Sequence, residues 1–423
     1  MNIFNTPQAI MDTTDEFLFS ASFPETARLT ATAFTRERSL SCIRLTTLIL
    51  LGVRLPLQLA LDEYFEAIRK EDETVSQQAA SKARTNLNPD VFKHLFLETV
   101  RIMNSVSELK LWLGKYRLGA IDGTDLAINN SEELKQFFGC AGRGSKAATA
   151  KCSMLFDPLN NIILDAILAP YVTSERKLAQ QNILAAKQLP LPSGVEFLYI
   201  MDRGYPSFPL MAWLMERNMK FLIRVRQDFA HAFSTNTPDE DASFRVDGKD
   251  LSVRVIRVVL SSGETEILLT NLDSTTLPVD QAGELYFKRW GIETKFNSLK
   301  NKLELENMSG RRMVTLLQDF WATLYLANLL ASLKWKADAM IELSTQGKNN
   351  KYKQKTNENR LIRKLRRLFI HSLSQPDPYQ RSLLFDRLIA DVSKYPEPVK
   401  PDRSVPRKIP RESKFHDCFK SVT

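Results

Sequence analysis

The chain has 423 residues, with 58 Lys+Arg against 49 Asp+Glu and a formal net charge of +9. A hydrophobic share of 43% with 25% charged residues is a globular balance and excludes wholesale disorder. Four scattered cysteines with no C-x2-C pair exclude a disulfide scaffold and a zinc ribbon. The first residues lack a basic start followed by an apolar run, so no signal peptide is expected, and a reducing cytoplasm is the expected location. The longest apolar stretch, Phe320 to Leu333, is too short and too interrupted for a bilayer span and reads as a buried helix.

Charge is unevenly placed. Residues 1–110 carry 12 basic and 14 acidic residues, whereas residues 311–423 carry 23 and 11. Lys348 to Arg367 holds nine cations and one acid, Glu358. A second basic tract runs from Arg403 to Lys420. Such segments suit a polyanion, because each cation set against a phosphate releases counterions; a solvated helix face with a loose tail is the alternative.

In chain order, residues 1–110 read as helical. Leu45 to Leu61 is an apolar helix pattern broken at Pro56. Thr74 to Gln78 followed by Lys82-Ala83-Arg84 reads as a capped helix with a basic face, and Asn88-Pro89-Asp90 opens another helix. From residue 117 the pattern turns to α/β. Arg117 to Asp122 is a short apolar run ending in an acid. Cys152 to Phe156 and Ile162 to Ala169 are strands joined by a turn at 157–161. Ser174 caps a helix to Lys187. Phe197 to Met201 is a strand ending at Asp202, Ser207 to Asn218 a helix, and Phe221 to Val225 a strand. The expected architecture is a mixed sheet with helices. A β-rich stretch occupies about 226–277, and two long helices follow, Pro278–Leu303 and Val314–Trp335.

Two acids, Asp122 in AIDGTD and Asp202 in YIMDRGYPS, end apolar strands, where open α/β sheets place their sites. Asp125 competes with Asp122 for the first position. The helix from Pro278 contains Tyr286, Arg289, Glu293 and Lys300 at offsets of three, four and seven, which share one face, with Trp290 and Phe296 nearby. Three carboxylates without a matching histidine set point to a hard divalent cation, Mg²⁺ or Mn²⁺. Two such ions serve in-line displacement at phosphorus. Arg289 and Lys300 suit a phosphate, and Tyr286 suits a base or phosphate. The four histidines, His94, His231, His371 and His416, match no ligand spacing, so Ser-His-Asp chemistry and zinc hydrolysis find no support.

Together these residues resemble the DDE transposases of bacterial insertion sequences, type-four group, with its Y-R-E-K signature. The resemblance is carried by Asp122-Gly123-Thr124, Ser174-Glu175-Arg176, Asp202-Arg203-Gly204-Tyr205 and Tyr286 to Lys300. Weaker matches lie at Phe34-Thr35-Arg36, Ser81-Lys82-Ala83-Arg84, Leu87-Asn88-Pro89 and Lys414-Phe415-His416. It implies a ribonuclease-H-like catalytic core with a β-rich insertion over 111–340. A helical DNA-binding region over 1–110 precedes that core, and a basic helical region over 341–423 follows it. It implies Asp122, Asp202 and Glu293 as catalytic, metal-binding acids for Mg²⁺ or Mn²⁺, two ions in all, with Tyr286, Arg289, Lys300 and Trp290 on DNA. Glu175 and Arg203 are softer candidates for the metal surroundings or for DNA. The implied activity is cut-and-paste excision and strand transfer of an element bound at its terminal inverted repeats. Target DNA and a homodimer are the implied partners, in a bacterial, nucleoid-associated setting without a membrane. The alternatives are a catalytically inactive DNA-binding relative and a ribonuclease-H-like nuclease of other function.

Overall fold

The computed structural model describes residues 2–400 except 37, 53–54, 69, 71, 74, 143–146, 231–236, 261 and 374–376. The basic tract Arg403 to Lys420, with His416, lies outside the described residues, as do Thr74 and His231. In chain order the helices before the first strand are α1 Thr6–Leu18, α2 Phe23–Ala27, α3 Cys42–Leu50, α4 Leu57–Ala67, α5 Gln77–Arg84 and α6 Asp90–Asn104. Next come β1 Tyr116–Ala127, α7 Glu132–Phe138, β2 Thr149–Asp157, β3 Ile162–Pro170, α8 Glu175–Lys187, β4 Glu196–Met201, α9 Phe208–Met215 and β5 Lys220–Val225. Then follow α10 Gln227–Ala230, β6 Asp239–Val246, β7 Lys249–Val259, β8 Thr265–Thr270, α11 Val279–Phe287, α12 Trp290–Asn301 and α13 Met313–Thr345. The last are β9 Gln354–Lys355, α14 Glu358–Leu373, α15 Pro378–Ser393 and β10 Glu397–Pro398.

The chain forms two compact units, one of residues 109–126 and 150–297, the other of residues 1–108, 127–149 and 298–423. The second of these is helical and is organised on α13. From Thr315 to Leu333 nearly every residue of α13 is buried, polar ones included. That is why the apolar stretch at 320–333 carries no amphipathic period: α1, α3, α6 and α15 pack around it. Among the described residues, no helix is long and apolar enough to cross a membrane. One polar contact in this unit corrects the sequence reading. The helix at 77–84 is capped by Ser76, whose hydroxyl accepts from the Ala79 N–H. Its Arg84 belongs to no basic face: it is 2% exposed and pairs with Asp319 at 3.0 Å, with further bonds to Gln318 and the Thr315 carbonyl. The basic run at 348–367 is likewise partly neutralised from within, since Asp391 takes both Arg360 and Lys364 at 3.0 and 2.9 Å.

The other unit is built on an eight-stranded sheet of order β3-β2-β1-β4-β5-β8-β7-β6. β1, β4 and β5 are parallel neighbours, and β5, β8, β7 and β6 are joined antiparallel. The parallel strands read as unbroken apolar runs because both faces are covered. Leu118, Leu198, Ile200, Leu222, Ile256 and Leu268 form one core with Leu285 and Tyr286 of α11. The β-rich stretch at 226–277 thus extends the same sheet rather than forming a separate layer. β1 also differs from expectation: the strand continues through Asp122 to Ala127. Ser174 precedes α8 but makes no side-chain cap.

Candidate metal and DNA site

The strand register delivers the first two acids. Ile121 of β1 pairs with Met201 of β4 as the last pair between the two strands, so Asp122, within β1, and Asp202, just past β4, follow adjacent parallel positions side by side. Each carboxylate is oriented by a backbone N–H that follows it. Asp122 Oδ1 accepts from the Gly123 N–H at 2.9 Å, and Asp202 Oδ1 from the Gly204 N–H at 2.8 Å.

Glu293 arrives from the far end of the sequence. The expected single helix Pro278–Leu303 is two helices. Lys288 and Arg289 form a turn in which the N–H groups of Lys288 through Ile292, Trp290 apart, bond three residues back rather than four. The turn lets α11 bury Tyr286 in the sheet core while α12 starts on a new line. α12 is fixed at its first residues. A Cβ on Gly291 would lie 2.9 Å from Pro158 Cβ and 3.5 Å from Phe156, so only glycine lets the helix settle on the β2–β3 turn. One turn later, Lys295 donates to Asn161 Oδ1 at 3.3 Å.

Arg289 ties the acids together. It is 7% exposed, bonds Glu293 Oε1 at 2.7 Å and stands 3.7 Å from Asp122 Oδ2. Its guanidinium lies over the Tyr286 ring, 5.6 Å from the centroid. Burial would lower the affinity of Arg289 for its proton, but Tyr286, Glu293 and Asp122 outweigh this and raise it, so the cation is secure. Burial, joined by Asp202 and Glu293, pushes the Asp122 carboxyl up to about 7, against the pull of Arg289. Burial likewise pushes Tyr286 up to about 12, so it stays a neutral phenol. Three acids therefore share one electrostatic site.

Among the described residues, no three His, Cys, Asp or Glu side chains stand close enough to ligate one ion as they are oriented. The donor set nevertheless fits a hard divalent cation: it is all carboxylate, charge-crowded, and currently balanced by a guanidinium. The Tyr205 hydroxyl beside it is fully buried and has no hydrogen-bond partner among the described residues. Burial first, and then the charges of Asp122, Glu175 and Asp202, hold that hydroxyl well above its usual ionisation range.

The remaining candidates divide. Trp290 opens α12 and is 54% exposed. Lys300, in the last turn of α12, falls in the other compact unit, where its ammonium pairs with Glu306 at 3.3 Å. The competing Asp125 lies 3.7 Å from Lys151. Two positioning contacts escaped the sequence reading. Arg176 of α8 donates to the Tyr205 carbonyl at 3.0 Å, and Lys151 of β2 donates to Glu175 Oε1 at 3.0 Å. Nothing in a single sequence pairs a strand lysine with a helix acid 24 residues on.

Comparison with known proteins places the chain in a family. Residues 113–329 match the family model described as a transposase DDE domain. The transposase InsG for insertion sequence element IS4 of Escherichia coli (strain K12) is 23% identical over 277 residues, 60% of this chain. The chain thus spans about 60% of the length of that relative. A piggyBac transposase, solved by cryo-electron microscopy as a synaptic complex with hairpin DNA, superposes with a TM-score of 0.50 at 12% identity, over 96% of this chain and 87% of that one. That likeness supports the fold, a ribonuclease-H-like core of mixed α/β class. With the family model covering half of the sequence, the chain belongs to the transposase DDE domain family.

Proposed function

We propose that the protein is a DNA transposase that cuts and joins strands with divalent cations held by Asp122, Asp202 and Glu293. The observation that carries the reading is the pairing of Ile121 with Met201, which sets the two aspartates side by side, with Arg289 linking Asp122 to Glu293. Mg²⁺ or Mn²⁺, two ions in the proposed complex, would activate the attacking oxygen and stabilise the leaving one. The chain's own residues would do the rest. Asp122 would present its oxygens from within β1 and Asp202 from the end of β4. Glu293 would close the set from α12. Arg289, set free from the carboxylates by the cations, is placed to take a phosphate oxygen with a planar fork. Tyr286 braces that guanidinium from below, and Trp290 offers an exposed ring for stacking on DNA near the cut. Lys300 is proposed as a further phosphate contact.

The proposed division of labour assigns catalysis to residues 111–340 and DNA contacts to 1–110 and the basic 341–423. The proposed partners are the element's terminal inverted repeats, target DNA and a second copy of the chain in the synaptic complex, at the bacterial nucleoid. The test is incubation of a labelled duplex carrying the element's terminal repeat with Mn²⁺. Cutting at the repeat boundary, with an unrelated duplex left intact, is the expected result. Cutting of any duplex would mean a general nuclease, and binding without cutting an inactive relative.

A further inference from the structure

Glu175 opens α8, in the first helical turn, where the helix dipole favours a carboxylate. Its side chain does not turn to solvent alone. A Cβ on Gly123, next to Asp122, would lie 3.4 Å from Glu175 Cδ and Oε1. A Cβ on Gly204, two residues after Asp202, would lie 3.7 Å from Glu175 Oε2 and 3.1 Å from Asp202 Oδ1. The Glu175 carboxylate therefore lies within van der Waals reach of the backbone at both aspartate motifs. Lys151 takes Oε1 at 3.0 Å and leaves Oε2 on the Asp202 side. Arg176, the next residue, anchors this turn of α8 to the Tyr205 carbonyl. The Tyr205 hydroxyl, fully buried and without a partner among the described residues, sits where Asp122, Asp202 and Glu175 all act on it.

We propose that Glu175 is a fourth carboxylate of the cation site, supplying Oε2 beside Asp202 to a Mg²⁺ or Mn²⁺ ion, while Lys151 holds its other oxygen. The proposal rests on the transposase reading of the three acids. Hard cations of this size take several carboxylates plus water or phosphate oxygens. Glu175 supplies a donor from the helix side of the sheet edge, opposite in sequence to Glu293. Lys151 balances the charge of Glu175 before the ion arrives, as Arg289 balances Asp122 and Glu293.

The test is Mn²⁺ binding to the full-length protein without DNA, followed by calorimetry and by the electron paramagnetic resonance signal of free Mn²⁺. Wild type is compared with Glu175→Gln, Asp202→Asn and Lys151→Met, each first melted in EDTA. Glu175→Gln should weaken Mn²⁺ binding about 10-fold or more, and Asp202→Asn should weaken it at least as much. Lys151→Met should leave affinity unchanged or raise it, since it removes a competing cation. Unchanged affinity in Glu175→Gln with loss in Asp202→Asn overturns the fourth ligand and spares the transposase reading. Unchanged affinity in both overturns the metal reading itself. A fall in Lys151→Met equal to that in Glu175→Gln would show that the ion pair, not the oxygen, matters, and would also overturn the proposal. If Glu175→Gln does not melt cooperatively, Glu175→Asp replaces it. That variant keeps the charge, withdraws the carboxylate by one methylene, and should still weaken binding; wild-type affinity there counts against the proposal.

Discussion

Replacing Gly291 with alanine should slow strand cleavage on the order of 10-fold. The added methyl would stand 2.9 Å from Pro158 Cβ, whereas ordinary contact begins at 3.4 Å. Pro158 sits in a rigid turn between β2 and β3, and Phe156 closes the other side at 3.5 Å. The start of α12 must therefore retreat by roughly 0.5 Å or more. Overpacking of this kind costs about 1–3 kcal/mol, and the better helix propensity of alanine returns up to about 1 kcal/mol. The net loss of stability is about 0–3 kcal/mol. Glu293 is two residues away and moves with the helix. A displacement near 1 Å costs about 10²-fold in a positioned reaction, so a retreat of half that should cost on the order of 10-fold. Single-turnover cleavage of a labelled end duplex, read beside a thermal melt, separates the two effects. A Gly291→Ala protein that cleaves at the wild-type rate would refute the claim that this contact sets the position of Glu293.

Three further outcomes follow from the charges. Asp122 holds its proton more tightly when folded, to about 7 from 3.8, so the metal-free protein should lose stability as pH rises between those values and level off above. The ceiling is about 4 kcal/mol at about 1.4 kcal/mol per tenfold change in proton affinity; denaturation in EDTA across that range measures it, and Asp122→Asn should flatten the curve. Mn²⁺ affinity should climb as pH rises towards about 7, because the ion must displace that proton; a pH-independent affinity in calorimetry would contradict this. Arg84→Met should destabilise the fold by about 3–5 kcal/mol by leaving Asp319 buried and unpaired, with urea denaturation as the measure; a loss of DNA binding at unchanged stability would instead restore Arg84 to a basic DNA-facing surface.

The sheet strands were legible because β1, β4 and β5 are largely buried and carry apolar runs, those of β1 and β4 followed by an acid. Asp122 and Asp202 could be picked for the same reason. The break between α11 and α12 was not legible. Tyr286, Arg289 and Glu293 keep helical spacing through it, since a turn of three-residue bonds changes the sequence offsets of a helix very little. Arg84 was misread because a buried cation and a DNA-facing one look alike until Asp319, 235 positions away, is placed against it. β6 and the extension of the sheet by β8 and β7 depend on long-range pairing that alternation alone does not specify. Glu175 looked like a helix-start acid because its nearness to both aspartate motifs depends on how β1 and the segment after β4 fold against the start of α8.

The central claim is that Asp122, Asp202 and Glu293 form one metal-dependent cutting site. The most direct measurement is Mn²⁺-dependent cleavage of the end duplex by wild type, Asp122→Asn, Asp202→Asn and Glu293→Gln, with duplex binding measured on the same preparations. The account predicts that each variant still binds the duplex and that none cuts it. Cleavage at the wild-type rate by any one of the three would contradict it.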